Sequence, residues 1–151
     1  MTRHILLVED NPTDEKLTLR AFLKSGIANE MVVVRDGAEA LEYVFCTGRH
    51  AAREAAAGPA LILLDLSLPK VNGLEVLKKI RTDDRTKLIP VVVLTSSKED
   101  EDIVRSYSLG ANAYVRKPLA FPEFAEAAKA VGMFWLMLNE LPPQRTPSMR
   151  P

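Results

Sequence analysis

Five residues of this sequence could do chemistry together: Glu9, Asp10, Asp65, Thr95 and Lys117. Each follows closely on a short apolar run, in the strings ILLVED, LILLD, VVVLTS and AYVRK. Three carboxylates brought together repel one another, and their pKa values rise unless a cation lies among them. Oxygen donors without histidine or cysteine suit a hard ion, which points to Mg²⁺ (or Mn²⁺) with several waters retained. Lys117 adds a point charge able to pair with a carboxylate or a phosphoryl oxygen, and Thr95 adds a hydroxyl donor. A carboxylate held between a metal and a lysine is equipped to accept a phosphoryl group, because that transfer is stabilised mainly by electrostatics. Taken singly, each acid has a plainer reading. Acids at strand ends often cap helices, and Asp10 before Pro12 or Asp65 before a turn could do only that. Their joint occurrence at four strand ends favours a site.

The elements that must position these residues alternate along the chain. Five short apolar runs recur at Ile5–Val8, Met31–Val34, Leu61–Leu64, Val91–Leu94 and Ala113–Val115. The first, third and fourth are almost wholly Val, Ile and Leu, the pattern of strands buried on both faces in a parallel sheet. Between them lie segments with helical spacing at 13–25, from Asp36-Gly37 through Val44, at 72–82, at 99–109 and at 121–141. Strand and helix alternating five times predict an α/β sandwich with right-handed crossovers, whose ligands gather at the C-terminal ends of the strands. Residues 1–141 are expected to form one domain. The stretch 47–59 is expected to be a helical extension followed by a turn, because of its alanines. The tail 142–151, with four prolines in ten residues, is expected to be loosely ordered.

Composition narrows the class. Apolar residues at 47% and charged residues at 26% fit a globular domain. Twenty basic residues cancel twenty acidic ones, so no net field draws the chain to nucleic acid or an anionic membrane. The single cysteine, Cys46, forbids an internal disulfide and reads as a small buried hydrophobe in a reducing compartment. The N-terminal apolar run is too short for a signal peptide, and nothing approaches the roughly 20 residues of a membrane span. The expected location is the cytoplasm.

The strings ILLVEDN, LILLDLSLPKVNG, VVVLTSS and ANAYVRKP, in that order, resemble the receiver domain of two-component response regulators over about residues 4–138. The resemblance implies a doubly wound five-stranded parallel sheet, flavodoxin-like, with strand order 2-1-3-4-5. Carried over by motif position, Asp65 is the phosphoacceptor. Asp10, Asp65 and the backbone carbonyl of Ser67 are the implied metal ligands, with Glu9 acting through a water. Thr95 is the implied switch hydroxyl, Tyr114 the aromatic that reorients with it, and Lys117 the phosphoryl-binding cation, its bond to Pro118 being cis. Ser67 and Ser97 are implied to flank the path of the hydrolytic water. Gly73 and Gly110 match the family too, and read physically as a turn opening a helix and a helix C-terminus. The partner implied is a sensor histidine kinase or a histidine phosphotransfer protein, and the domain signals rather than acting as an enzyme. The long segment before LILLDLSLP and the ending FWLMLNELPP are similar to the small regulators that serve bacterial and cyanobacterial phytochromes.

Two other classes compete. A flavin-binding or phosphatase enzyme on the same sheet would want a phosphate loop after the first strand, or a second Asp two residues beyond Asp65. The chain instead has Glu9-Asp10-Asn11-Pro12 and Ser67 at those places. A degenerate receiver serving only as an interaction module would not need Asp65, Thr95 and Lys117 intact. On the last helix, Phe124, Ala128, Val131, Trp135 and Leu138 form one apolar stripe, and Ala130, Phe134, Met137 and Leu141 a second, centred roughly 110° away at about 100° per residue. One core needs one stripe, so either the proline-rich tail folds back over the second, or the helix ends near Leu138, or, as the preferred reading, an isologous homodimer covers it. On the first helix, Leu17 and Ala21 are expected to face the sheet and Leu19 and Leu23 the solvent, where a kinase could dock.

Overall fold

Runs rich in Val, Ile and Leu become the strands of one sheet. They are β1 (Ile5–Val8), β2 (Met31–Val34), β3 (Leu61–Leu64), β4 (Val91–Thr95) and β5 (Ala113–Arg116). The computed structural model describes residues 3–53, 58–117 and 120–143. All pairings are parallel in the order β2-β1-β3-β4-β5, with Leu6 opposite Val32 on one side and Ile62 on the other. Every residue of β1, β3 and β4 is buried, whereas β2 and β5 at the edges are mostly half-exposed. The predicted sheet and its order are both present.

Five helices cover the sheet: α1 (Pro12–Lys24), α2 (Gly37–Phe45), α3 (Gly73–Arg81), α4 (Asp100–Ser108) and α5 (Phe121–Gly132). Three of them start on side-chain caps. Asn11 accepts from the N–H groups of Thr13 and Asp14, Asp36 from that of Glu39, and Asn72 from that of Glu75. One core layer packs α2 and α3 on Leu6, Val8, Ile62 and Leu64; the other packs α1 and α5 on Ile5, Leu7, Leu61 and Leu63. Alternate residues of one strand thus serve opposite faces, which is why these strands tolerate no polar position.

Several expectations need correction. On α1 the buried face is Thr18, Ala21 and Phe22, Leu17 and Leu19 are half-buried, and only Leu23, 79% exposed, faces solvent. Phe22 is the larger apolar residue and takes the sheet. Residues after α2 form a short 3₁₀ turn, Gly48–His50, rather than a helical extension, and 54–57 lie outside the described residues. Cys46 is half-buried, not buried, because it caps α2 in the left-handed region at φ 57°. The final helix is not continuous to 141. After Gly132 it widens into a π-helical segment, Met133–Leu138, closed by the Asn139 N–H donating to the Phe134 carbonyl at 2.7 Å. The slower winding turns Leu138 outward to 72% exposure, and Leu136 joins Trp135 and Val131 against the core instead. Of the tail, Pro142 is anchored by Arg3, whose Nη1 donates to its carbonyl at 3.0 Å, and 144–151 lie outside the described residues.

Candidate functional site

The parallel sheet brings the ends of β1, β3, β4 and β5 to one edge, and all five singled-out residues meet there. Asp65 follows β3 and is buried. Its Oδ1 accepts from the Thr95 hydroxyl at 2.9 Å and from the Ser67 N–H at 3.1 Å, and its Oδ2 from Lys117 Nζ at 2.8 Å. Glu9 follows β1 and is also buried, with Oε1 accepting from Lys117 Nζ at 2.5 Å and Oε2 from the Asn11 N–H at 3.2 Å. Asp10, next along, is exposed at the rim. Gly73 at the start of α3 lies so close that an added Cβ would run into the Asp65 carbonyl and the Leu66 backbone. That glycine lets α3 seat against the loop carrying Asp65. Gly110, at φ 103°, ends the turn after α4 as expected.

The electrostatics follow from burial. Burial pushes the Glu9 carboxyl up to about 7, against the Lys117 hydrogen bond that pulls it down, and the neighbouring Asp65 charge pushes it further. Burial also works against ionised Asp65. There Lys117, the Ser67 N–H and the Thr95 hydroxyl together prevail and hold it below the ordinary carboxylate range. Lys117 is desolvated too, yet its bonds to Asp14, Asp65 and Glu9 raise it above the usual lysine value. Burial therefore raises Glu9, while a built-in cation keeps Asp65 ionised.

Asp14 escaped sequence reasoning. Its Oδ2 accepts from Lys117 Nζ at 2.8 Å, so the ammonium spends its three donors on three carboxylates. The available signal was its place four residues after Asp10, one turn into a helix fixed by Asn11 and Pro12. Beside the site, the Tyr114 hydroxyl donates to the Ser97 carbonyl at 3.2 Å, and Ser97 Oγ to Asp102 at 2.7 Å. Ser67 is exposed on the loop after β3. Pro118 lies outside the described residues, and so does the expected cis bond that enters it.

Carboxylate oxygens of Glu9, Asp10 and Asp65 lie within 4.8 Å of one another. This all-oxygen set with an exposed member at the rim fits a hard divalent cation that keeps part of its water shell.

A five-stranded parallel sheet in this order, with acids closing β1 and β3, a hydroxyl closing β4 and a lysine after β5, defines a phosphoaccepting receiver domain. Residues 5–129 match the response regulator receiver domain family, and the chain belongs to it. Response regulator Rcp1 of Synechocystis sp. (strain PCC 6803) is 38% identical over 138 residues, 91% of this chain and 92% of Rcp1. Its Mn²⁺-bound crystal structure superposes with a TM-score of 0.85 over 93% of this chain and 99% of that one, at 37% identity. The phosphorylated cyanobacterial phytochrome response regulator RcpA gives a TM-score of 0.87 at 42% identity, over 94% of this chain and 99% of RcpA. The bacteriophytochrome response regulator AtBRR is 54% identical, with a TM-score of 0.75 over 93% of this chain and 99% of AtBRR.

Proposed function

We propose that Asp65 accepts a phosphoryl group from the phosphohistidine of a sensor kinase or phosphotransfer protein, and that the kinase is of the phytochrome kind. The observation that carries the first part is the grip on Asp65: one oxygen held by Thr95 and Ser67, the other by buried Lys117. An oxygen of Asp65 attacks phosphorus, the P–N bond breaks, and the electron pair leaves with the histidine ring. Lys117 faces the negative charge carried across in that step, and Thr95 is within reach of the new oxygens through its bond to Asp65. Asp10, Asp65 and the Ser67 carbonyl, with Glu9 through a water, would hold Mg²⁺, which supplies charge neutralisation to the phosphoryl oxygens. Labelling with acetyl phosphate and Mg²⁺ tests the assignment: wild type should label, and Asp65→Asn should not. The kinase assignment draws on RcpA and AtBRR, regulators of cyanobacterial and bacterial phytochromes, and phosphotransfer from a purified phytochrome kinase, compared with a sensor kinase of another kind, tests it.

The signal leaves as a change of surface. Drawing Thr95 toward the phosphoryl group shifts the turn that carries Ser97, to which Tyr114 is bonded, and so frees the ring to turn. A homodimer is part of the same reading. Ala130, Phe134 and Met137 are exposed and Leu141 half-buried; Phe134 at 49% and Met137 at 70% join Leu138 in one apolar patch after α5. A second copy meeting this patch across a two-fold axis covers it without a foreign partner. The lone half-buried Cys46 suits a reducing cytoplasm, and among the described residues no helix is long and apolar enough to cross a membrane.

A further inference from the structure

We infer that Asp14 is a positioning residue for phosphotransfer: it holds the Lys117 ammonium at the phosphoryl site once Glu9 and Asp65 turn to other partners. This inference rests on Asp65 being the acceptor. In the structure Lys117 Nζ is balanced among Glu9 Oε1 at 2.5 Å, Asp65 Oδ2 at 2.8 Å and Asp14 Oδ2 at 2.8 Å. Its side chain is only 7% exposed, so water cannot replace a lost acceptor cheaply.

Two of the three acceptors are committed elsewhere during the reaction. Glu9 and Asp65 belong to the carboxylate cluster that suits a divalent ion, and Asp65 additionally becomes an acyl phosphate. A divalent cation in that cluster repels the ammonium and competes for both carboxylates. Asp14 is outside the cluster, and it is the acceptor left to the lysine. Its backbone is fixed in place on both sides. Its N–H donates to the Asn11 cap at 3.1 Å, and its carbonyl accepts from the hydroxyl of fully buried Thr18 at 2.8 Å. The carboxylate therefore projects from a rigid first helical turn, where the helix end favours negative charge. A plain surface acid in a first turn needs no such partner. Asp14 instead bridges α1 to the residue after β5, spanning 103 positions of sequence.

The test is a double-mutant cycle on the full chain, read as the initial rate of phosphorylation by acetyl phosphate at saturating Mg²⁺. Asp14→Ala should slow the rate about tenfold, about 1.4 kcal/mol of transition-state stabilisation. Asp14→Asn, which still offers an oxygen acceptor, should stay within about threefold of wild type. In a Lys117→Ala background Asp14→Ala should have no further effect, an outcome that a merely structural role would not produce. Mg²⁺ affinity by calorimetry should hold steady across both Asp14 variants. A wild-type rate for Asp14→Ala overturns the inference, and so does an equal slowing with and without Lys117. Parallel loss of Mg²⁺ affinity in Ala and Asn overturns it as well, by making Asp14 part of the ion's environment. Failure of wild type itself to label would instead refute Asp65 as the acceptor.

Discussion

Glu9 makes Mg²⁺ binding report on a single buried proton. With its pKa raised to about 7 by burial, Glu9 carries its proton about half the time at neutral pH, and a divalent cation in the carboxylate cluster must displace it. At pH 6 only about one molecule in eleven has Glu9 ionised, and at pH 8 about ten in eleven. The apparent affinity should therefore rise about tenfold from pH 6 to pH 8, roughly 1.4 kcal/mol. Calorimetry in buffers of different ionisation heat should find about 0.9 proton released per ion at pH 6 and about 0.1 at pH 8. Glu9→Gln should flatten the profile. An affinity independent of pH across this range in the wild type would refute the reasoning.

The same shift acts on folding, with its own sign. Glu9 is raised in the folded state, so its contribution to stability is full below the ordinary carboxylate value and is lost as pH rises through about 7. Asp65 is lowered, so its contribution is lost only when pH falls below the ordinary carboxylate range. Lys117 is raised, and its contribution persists through neutrality. Of these three groups only Glu9 changes between pH 6 and pH 8, while half-buried His4, lowered by burial, acts in the opposite sense, so the metal-free melting advantage of wild type over Glu9→Gln should be larger at pH 6 than at pH 8. Mg²⁺ should reduce that difference. A difference between wild type and Glu9→Gln that is the same at both pH values would show that Glu9 is not the buried acid in question.

Other perturbations separate the parts of the switch. Thr95→Ala removes the hydroxyl bond to Asp65 Oδ1 but not the acceptor; it should still label with acetyl phosphate, while amide exchange near Ser97 and Tyr114 should no longer respond to labelling. Phe134→Asp with Met137→Asp should leave the fold intact and turn a dimer into a monomer by light scattering; a dimer mass that survives would move the interface to another surface. Leu23→Glu, at the most exposed leucine of α1, should slow transfer from the cognate kinase and leave acetyl phosphate labelling unchanged, and equal losses with both donors would remove the docking role.

The sheet and the convergence of the site residues were legible because their physics is local. A run such as Leu61–Leu64 has no polar position to offer water, so it can only be a strand buried on both faces, and the residue after it must emerge at the sheet's edge. Glu9-Asp10, Asp65, Thr95 and Lys117 inherit their convergence from that rule alone. The α1 face is less legible: a projection that sets Leu17 and Ala21 against the sheet is right for Ala21, but the fold buries Thr18 and Phe22 beside it rather than Leu17. The end of α5 was misread for a different cause. A projection at about 100° per residue assumes one winding throughout, and the π segment breaks that assumption at Met133, so every facing assigned beyond it drifts.

Asp14 shows where sequence reading of a site runs out. Every other polar member stands at or just beyond the end of a strand, so its position is fixed by the sheet. Asp14 stands on a helix, and what brings it in is the angle at which α1 leaves β1. That angle is set by Asn11, whose side chain caps two N–H groups, by Pro12 in the first turn, and by Phe22 and Ala21 packed against the sheet two turns later. None of these residues is chemical, and their effect on Asp14 is visible only when all act together. The ammonium of Lys117 sums the result. It reads the sheet through Glu9 and Asp65, and the helix through Asp14, so its position is correct only if both layers are. A substitution that tilts α1, such as Phe22→Ala, should therefore disturb phosphotransfer without touching any group in the site. The cavity left by that change should cost about 3–5 kcal/mol of stability. Where the variant still folds, slower labelling that is insensitive to further loss of the Asp14 carboxylate would trace the defect to that one contact.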